Sequence, residues 1–547
     1  MTTNISQFLG FSGVSNRGTD LTFIILATLL CVAVLALAIW LLTKYIRRPK
    51  YAESYKAKLE AYDKLPQEKK DKLPRPQPFS FLGIWFAIMG AGVIIRLLFV
   101  FFIRGFRPEI EGVADIFFYY TDPRLVYATN SFSHYPIITY IYAFFGVLAR
   151  AMQLDPHGAV IPLFVKLPLV FADIALMAVV YVISKKHINE YTSLIMAGIV
   201  AFFPPFIMLS SIWGSVYSIA ILLLVLTFYF IASRKLLGVF ITYSLALLTS
   251  RSALLLFPVV ATFIIFQFVK SILYIRRNKI DGGLGAIIKD AEAKNVFFVP
   301  LFFVASWLFS WLLVLPLIHN LTVTPWGFVN LFFISPLANM RFFGFNSMGI
   351  FNFFVDMSGN GAQWTASGGM TALFVVLFGA IITGLVVLVY LTRKNRALLV
   401  FVAGYVYLTL SIFFIDFGAT NLIVVTTLFL LAFIFIRDKR ILLLAAITGT
   451  LLTLNMSFVM LNAGFLNNLP YYYFAGPEYV GEILLGYSPG RGAWLAINII
   501  LSVLAILTFI YATVVMLDIA MSSKRKLISA TEKPSFFGAV GKFFRAK

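Results

Sequence analysis

Residues 44–80 read KYIRRPKYAESYKAKLEAYDKLPQEKKDKLPRPQPFS. The stretch is rich in lysine, mixed in charge and punctuated by proline towards its end. It lies between two apolar runs, residues 21–43 and 81–103. A helix needs about 20 apolar residues to cross a hydrocarbon core, and each run supplies that length. Loops dense in Lys and Arg stay on the cytoplasmic side, so residues 44–80 are predicted to be cytoplasmic, partly helical and close to anionic headgroups. The N-terminus then lies outside. Its flank, TTNISQFLGFSGVSN, is too polar and too poor in charge for the basic n-region of a signal peptide, so residues 21–43 are read as a retained span.

Composition agrees. The chain has 547 residues, of which 61% are hydrophobic and 12% charged, far from the roughly 25% charged usage of soluble domains. Its mean hydropathy is +0.92. The net charge of +21 comes from Lys and Arg in short loops between apolar runs. Membrane orientation accounts for that pattern, and nucleic acid is not called for. The single cysteine, Cys31, sits inside the first run, which excludes an intrachain disulfide and a cysteine metal site. Four scattered histidines make no zinc cluster. A divalent cation is left open, and no other cofactor is indicated.

Alternation from residues 44–80 sets the topology. Residues 81–103 go out. Residues 135–152 are apolar and aromatic but short, and are read as a helix in the interface, because a full span would put Lys185, Lys186 and His187 outside. Residues 162–184 go in, 192–205 out, 216–232 in, 236–248 out, 253–274 in, 296–318 out, 371–391 in, 398–414 out, 422–436 in, 442–461 out and 493–521 in. FFPPFIMLSSIWGS is expected at the outer face. The prediction is an all-α polytopic integral membrane protein of about 13 transmembrane helices, with interfacial helices in the first outer loop and multiple passes through the cell membrane. Residues 1–80 are an extra span plus a basic segment, 81–521 the transmembrane domain, and 522–547 a basic cytoplasmic tail. No duplication between halves supports an inverted-repeat transporter.

The densest group of titratable residues outside the spans is in the first outer stretch, 104–136, RGFRPEIEGVADIFFYYTDPRLVYATNSFSHYP, with Glu109, Glu111, Asp115, Asp122 and His134. Within the spans, charge is costly and usually functional. Lys166 lies near an outer end. Asp173, two helical turns deeper on the same helix, is too far away to pair with it and is read as bonding a neighbouring helix. Arg96, in VIIRLLFV, is read as snorkelling or facing a lipid phosphate.

Four segments carry a resemblance: KLP-x-x-x-ADI at residues 166–174, P-x-x-x-x-x-S-x-WG at 205–214, AL-x-x-x-P at 253–258, and FN-x-x from Phe351. In order, spacing and sidedness they resemble the GT-C superfamily, the polytopic glycosyltransferases that use polyprenyl- or dolichyl-phosphate sugars. The nearest likeness is to prokaryotic relatives of the dolichyl-phosphate-glucose and -mannose enzymes. It covers roughly residues 81–461. The resemblance implies a carboxylate base in the first outer loop and cations holding the departing lipid phosphate. Asp115 matches the first-loop aspartate. Arg96, Lys166, Trp213, Tyr217, Arg251 and Asn352 are the implied substrate contacts, with a polyprenyl-phosphate-linked sugar, a glycolipid or polymer acceptor, and membrane lipids as partners.

Several family positions depart from the pattern. His134-Tyr135-Pro136-Ile137 stands where the family has D-Y-P-P, and His134 becomes an alternative base. Trp213-Gly214-Ser215-Val216-Tyr217 replaces W-G-Q-x-D, and Thr249-Ser250-Arg251-Ser252-Ala253 replaces T-K-P-Q-A. Gly418-Ala419-Thr420-Asn421 falls where H-E-R-Y is common. Framework residues persist while polar contacts change. The expected function is therefore hexose transfer to an extracytoplasmic acceptor. The alternatives are a non-catalytic paralogue that partners an active one in cell-envelope assembly, or a lipid or small-molecule transporter.

Overall fold

A computed structural model of the chain describes residues 50–70, 81–103, 135–153, 160–278, 292–317, 381–387, 397–413, 419–466 and 491–521, with a few single positions between them. Every regular element among the described residues is a helix. In chain order the principal ones are α1 (Tyr51–Asp63), α2 (Phe81–Phe102), α3 (Pro136–Ala151), α4 (Ile161–His187), α5 (Glu190–Phe202), α6 (Pro204–Trp213), α7 (Tyr217–Ala232), α8 (Leu236–Leu247), α9 (Phe257–Asn278), α10 (Asn295–Val314), α11 (Ala397–Phe413), α12 (Leu422–Ile436), α13 (Lys439–Leu466) and α14 (Arg491–Met521).

Among the described residues, six helices are long and apolar enough to cross a membrane: α2, α4, α9 with its 3-10 lead-in, α10, α13 and α14. The pair α5 and α6 makes a seventh candidate, bent by 49°. α3, α7, α8, α11 and α12 are shorter apolar helices. Residues 21–43 and 371–391 lie mostly outside the described residues, as do the segment 319–369 and the basic tail. α2 exposes Leu82, Phe86, Ile94 and Phe101, and α10 exposes Leu301, Phe303, Phe309 and Leu312. Whole faces this apolar suit acyl chains rather than water. The protein is embedded in a membrane by several helices.

Local chemistry sets the helix ends. α4 starts with a proline at its second position and ends on Lys185, Lys186 and His187, where cations complement the helix dipole. Asn189 caps α5, its side chain accepting from the Thr192 amide at 2.8 Å. Sequential helices then pack as neighbours: α4 on α5, α7 on α8, α11 on α12 and α12 on α13. Lipid tails are as apolar as leucine, so this packing relies on close fit and interhelical hydrogen bonds. Thr227 bonds Thr242 between α7 and α8 at 2.9 Å, Thr426 meets Thr448 between α12 and α13 at 3.0 Å, and Tyr405 meets Thr513 between α11 and α14 at 2.9 Å. Each such bond is worth about 0.6 kcal/mol.

The two ends of the bundle differ. At one end His187 meets Arg437, Lys186 meets Tyr229, and Arg440 bridges Asp438 and Asp518 at 2.7 and 2.8 Å. At the other end the Ile137 amide donates to the Leu248 carbonyl, Tyr140 donates to that of Leu313, and Ser252 to Asn421. Ends that the alternation put on one side meet one another. The α3 helix has 16 residues, about 24 Å at 1.5 Å each, which is short for a span.

The segment FFPPFIMLSSIWGS is enclosed by the bundle: residues 203–213 are buried throughout, and Phe203 packs where Gly449 leaves room for it. Its apolar residues find partners in α4, α7 and α13 that hydropathy alone does not show.

Candidate functional site

The site is built where α2, α4 and α6 meet. α4 carries Lys166 and Asp173 on one face, and the structure separates them into two buried polar centres. The deeper one joins Asp173 to Arg96. The Arg96 Nε donates to Asp173 Oδ2 at 3.0 Å, and the two side chains are 0% and 2% exposed. Its Nη1 donates to the carbonyls of Gly92 and Ala201 at 3.2 and 2.8 Å, and its Nη2 to that of Val200 at 3.0 Å. Four of the five guanidinium donors are thus satisfied by protein. Ser210 donates to the same Asp173 oxygen at 2.6 Å, and Ser218 of α7 lies against the carboxylate. Asp173 does bond neighbouring helices, and Arg96 is its main partner.

Arg96 therefore neither snorkels nor faces lipid. The close approach of α2 explains why. Gly92, one turn earlier, presses against Ala201, where an added Cβ would sit 3.1 Å from the Ala201 Cβ. Without a side chain at 92, α2 comes near enough to α5 for the guanidinium to reach its carbonyls.

The second centre is at the end where α2 stops. Lys166 is 0% exposed, and its Nζ donates to the Ile103 carbonyl at 2.6 Å. That carbonyl belongs to the negative end of the α2 dipole, a natural seat for a cation. Lys166 also packs against the turn that ends α6. There Gly214 adopts φ +85°, and its amide and that of Ser215 both bond the Leu209 carbonyl at 3.1 and 3.0 Å. This left-handed cap suits glycine. An added Cβ would lie 3.6 Å from Lys166 Cε and 2.5 Å from Ile110 Cδ1. The Ser215 hydroxyl beside this turn is buried and has no hydrogen-bond partner among the described residues.

Ile110 and Val113, in the first outer stretch, are 6% and 1% exposed and pack with Ile138, Tyr142, Val165 and Leu169. Tyr142 of α3 donates to the Val165 carbonyl at 2.9 Å. Lys166, Gly214 and the anchored residues of the first stretch thus converge on one place. Gly214→Ala is expected to lower the thermal unfolding midpoint. The backbone strain alone costs about 1–2 kcal/mol, and Ile110 must also be displaced. An unchanged midpoint in detergent would show that the turn adapts.

Trp213 is 1% exposed and belongs to the core, which makes it a framework residue. Tyr217 opens α7 and is half-buried. Arg251 opens the 3-10 turn before α9. Asp115, His134 and Asn352 lie outside the described residues, as do Glu109, Glu111 and Asp122. Among the described residues, no three His, Cys, Asp or Glu side chains come together to hold a metal.

Three contacts were not anticipated from the sequence. Ser252 donates to Asn421 Oδ1 at 3.0 Å, Tyr407 donates to the same oxygen at 2.9 Å, and Ser250 caps the turn by accepting from the Ser252 amide at 3.1 Å. The two bonds to Asn421 join residues 169 and 14 apart in sequence, and no local signal links them. Ser210 had one, the double proline Pro204-Pro205 that breaks the helix ahead of it.

The fold and these buried polar centres define a helical, membrane-embedded protein with a polar site near one end of its bundle. Comparison with protein-family models, curated proteins and solved structures finds no match.

Proposed function

We propose that the chain is a membrane glycosyltransferase of the GT-C kind, with about 13 spans in the cell membrane, its N-terminus extracytoplasmic and its C-terminus cytoplasmic. It moves a hexose from a polyprenyl-phosphate sugar to a lipid or polymer acceptor on the extracytoplasmic face. One observation carries the reading. Residues quoted for the resemblance from distant parts of the chain, Lys166 and Trp213-Gly214, meet at the bundle end where Ile110 and Val113 anchor the stretch that contains Asp115.

In this reading Asp115 accepts the proton of the acceptor hydroxyl as its oxygen attacks the anomeric carbon. The bond from that carbon to the phosphate oxygen breaks, and the polyprenyl phosphate leaves. A carboxylate in hydrogen-bond reach makes the hydroxyl a competent nucleophile, and Lys166 and Arg251 supply charge for the leaving phosphate. His134 is the alternative base, Asn352 and Tyr217 are sugar contacts, and a divalent cation is compatible with the same chemistry.

Transfer of labelled hexose from synthetic polyprenyl-phosphate donors tests this. Wild type is expected to transfer, and Asp115→Asn to lose about 10²–10⁴-fold. Transfer unaffected by that substitution would remove Asp115 as the base.

A second reading, a non-catalytic partner of an active paralogue, is favoured by Ser252, Tyr407 and Asn421. Ser252 and Asn421, in segments where the family's polar contacts to sugar or phosphate are replaced, bond each other, and Tyr407 bonds the same Asn421 oxygen. Wild type silent with every donor, and copurifying with a second polytopic transferase, would select it.

A further inference from the structure

In an α-helix the carbonyl of residue i accepts from the amide of residue i+4. The Ile199 carbonyl obeys this, accepting from Phe203 at 2.8 Å. The next two carbonyls, Val200 and Ala201, would need amide hydrogens at 204 and 205. Both positions are proline, which has none. An orphaned carbonyl inside a membrane bundle has no water to turn to. The two donors come from another helix. Arg96 Nη2 reaches Val200 at 3.0 Å and Nη1 reaches Ala201 at 2.8 Å. The match is one to one, since the two carbonyls that lose partners are the two that the guanidinium serves.

The rest of the network holds Arg96 in that position. Asp173 takes its Nε, and Asp173 is itself held by Ser210, which lies in the π-helical turn beyond the prolines. The bend of 49° between Glu190–Phe202 and Pro204–Trp213 is therefore tied on both sides of the break by one ion pair. The bent arm ends at Trp213 and Gly214, against Lys166.

We propose that Arg96 is a positioning residue: its guanidinium replaces the two backbone hydrogen bonds that Pro204 and Pro205 remove, and with Asp173 and Ser210 it fixes the bent arm that carries the Trp213–Gly214 turn to Lys166. Planarity explains the choice of arginine, because a fork of parallel donors meets two successive carbonyls while a third donor is left for the carboxylate. A lysine ammonium keeps the charge for Asp173 but lacks the fork. The inference stands whether or not the chain transfers sugar.

The test asks whether Arg96 and the prolines are coupled. Full-length wild type, Arg96→Lys, Pro204→Ala/Pro205→Ala and the triple variant are purified in one detergent and compared by thermal unfolding. Arg96→Lys is expected to lower the midpoint by about 5 °C. Replacing both prolines in that background restores amide donors at 204 and 205, and is expected to recover at least half of the loss. In the presence of Arg96 the same replacement gains nothing, because the carbonyls are already served. Equal shifts from the proline change in both backgrounds would overturn the proposal. Arg96→Met/Asp173→Asn, a neutral pair read by the same criterion, is the second background. If a variant fails to accumulate in membranes, recovery of accumulation by the proline change supports the proposal, and no recovery overturns it.

Discussion

Asp173→Ala is expected to destabilise the folded protein by about 3–5 kcal/mol, the loss seen when one member of a buried ion pair is removed. The size follows from what remains. Arg96 is fully buried, so its charge cannot move to water when the carboxylate goes. Ser210 loses the acceptor it holds at 2.6 Å. The bonds from Arg96 to Val200 and Ala201 stay in place and keep the guanidinium in the bundle beside an empty space. Asp173→Asn keeps the shape and an acceptor oxygen, and is expected to lose less than half as much. Chemical or thermal unfolding in detergent measures both. Equal behaviour of wild type and Asp173→Ala would mean that the carboxylate is not what holds Arg96.

Lys166→Met is expected to have the opposite sign for stability. Burying an ammonium costs several kcal/mol even after relaxation, and its described partner is one neutral carbonyl at the end of α2. Methionine is of similar length, flexible and uncharged, so it fills the same space. The variant loses the bond to Ile103, a cost of about 1–3 kcal/mol. The relief of desolvation is at least as large. The folded protein should be as stable as wild type or more so, which a thermal midpoint would register directly. A buried group kept against stability is the usual mark of a functional residue in a membrane.

Much of the helical skeleton was legible because apolar runs bounded by charge specify spans. Residues 422–436 were read as a span, and the helix there is Leu422–Ile436. Residues 81–103 became Phe81–Phe102, and 162–184 became Ile161–His187. The last case, like residues 253–274 where the helix runs on to Asn278, differs at its C-terminal end: the helix continues about a turn into Lys or Arg residues, whose side chains complement the dipole. Hydropathy ends the span where the apolar run ends, and the backbone does not stop there.

The site was less legible, and the reason is lateral. Asp173 was recognised as a group needing a partner on another helix. Arg96 was recognised as costly where it stands. Nothing in a one-dimensional pattern joins residues 77 apart in sequence, so the two were read separately and Arg96 was turned outward. The double proline carried the missing information, since it names the two carbonyls that need donors. In sequence those prolines mark only the outer end of a span, and the burial of the segment around them is visible only in the structure. Lys166 was placed correctly near a helix end. Its nearness to Gly214 follows from the turn at φ +85°, which sequence suggests only through the glycine itself.

The most direct test of the proposed site is hexose transfer from a polyprenyl-phosphate donor by Lys166→Met, measured beside wild type at matched amounts of folded protein. The account predicts a midpoint no lower than wild type together with a fall in transfer of about 100-fold or more, the loss expected when a buried cation no longer meets the leaving phosphate. Full transfer by the folded variant would contradict it.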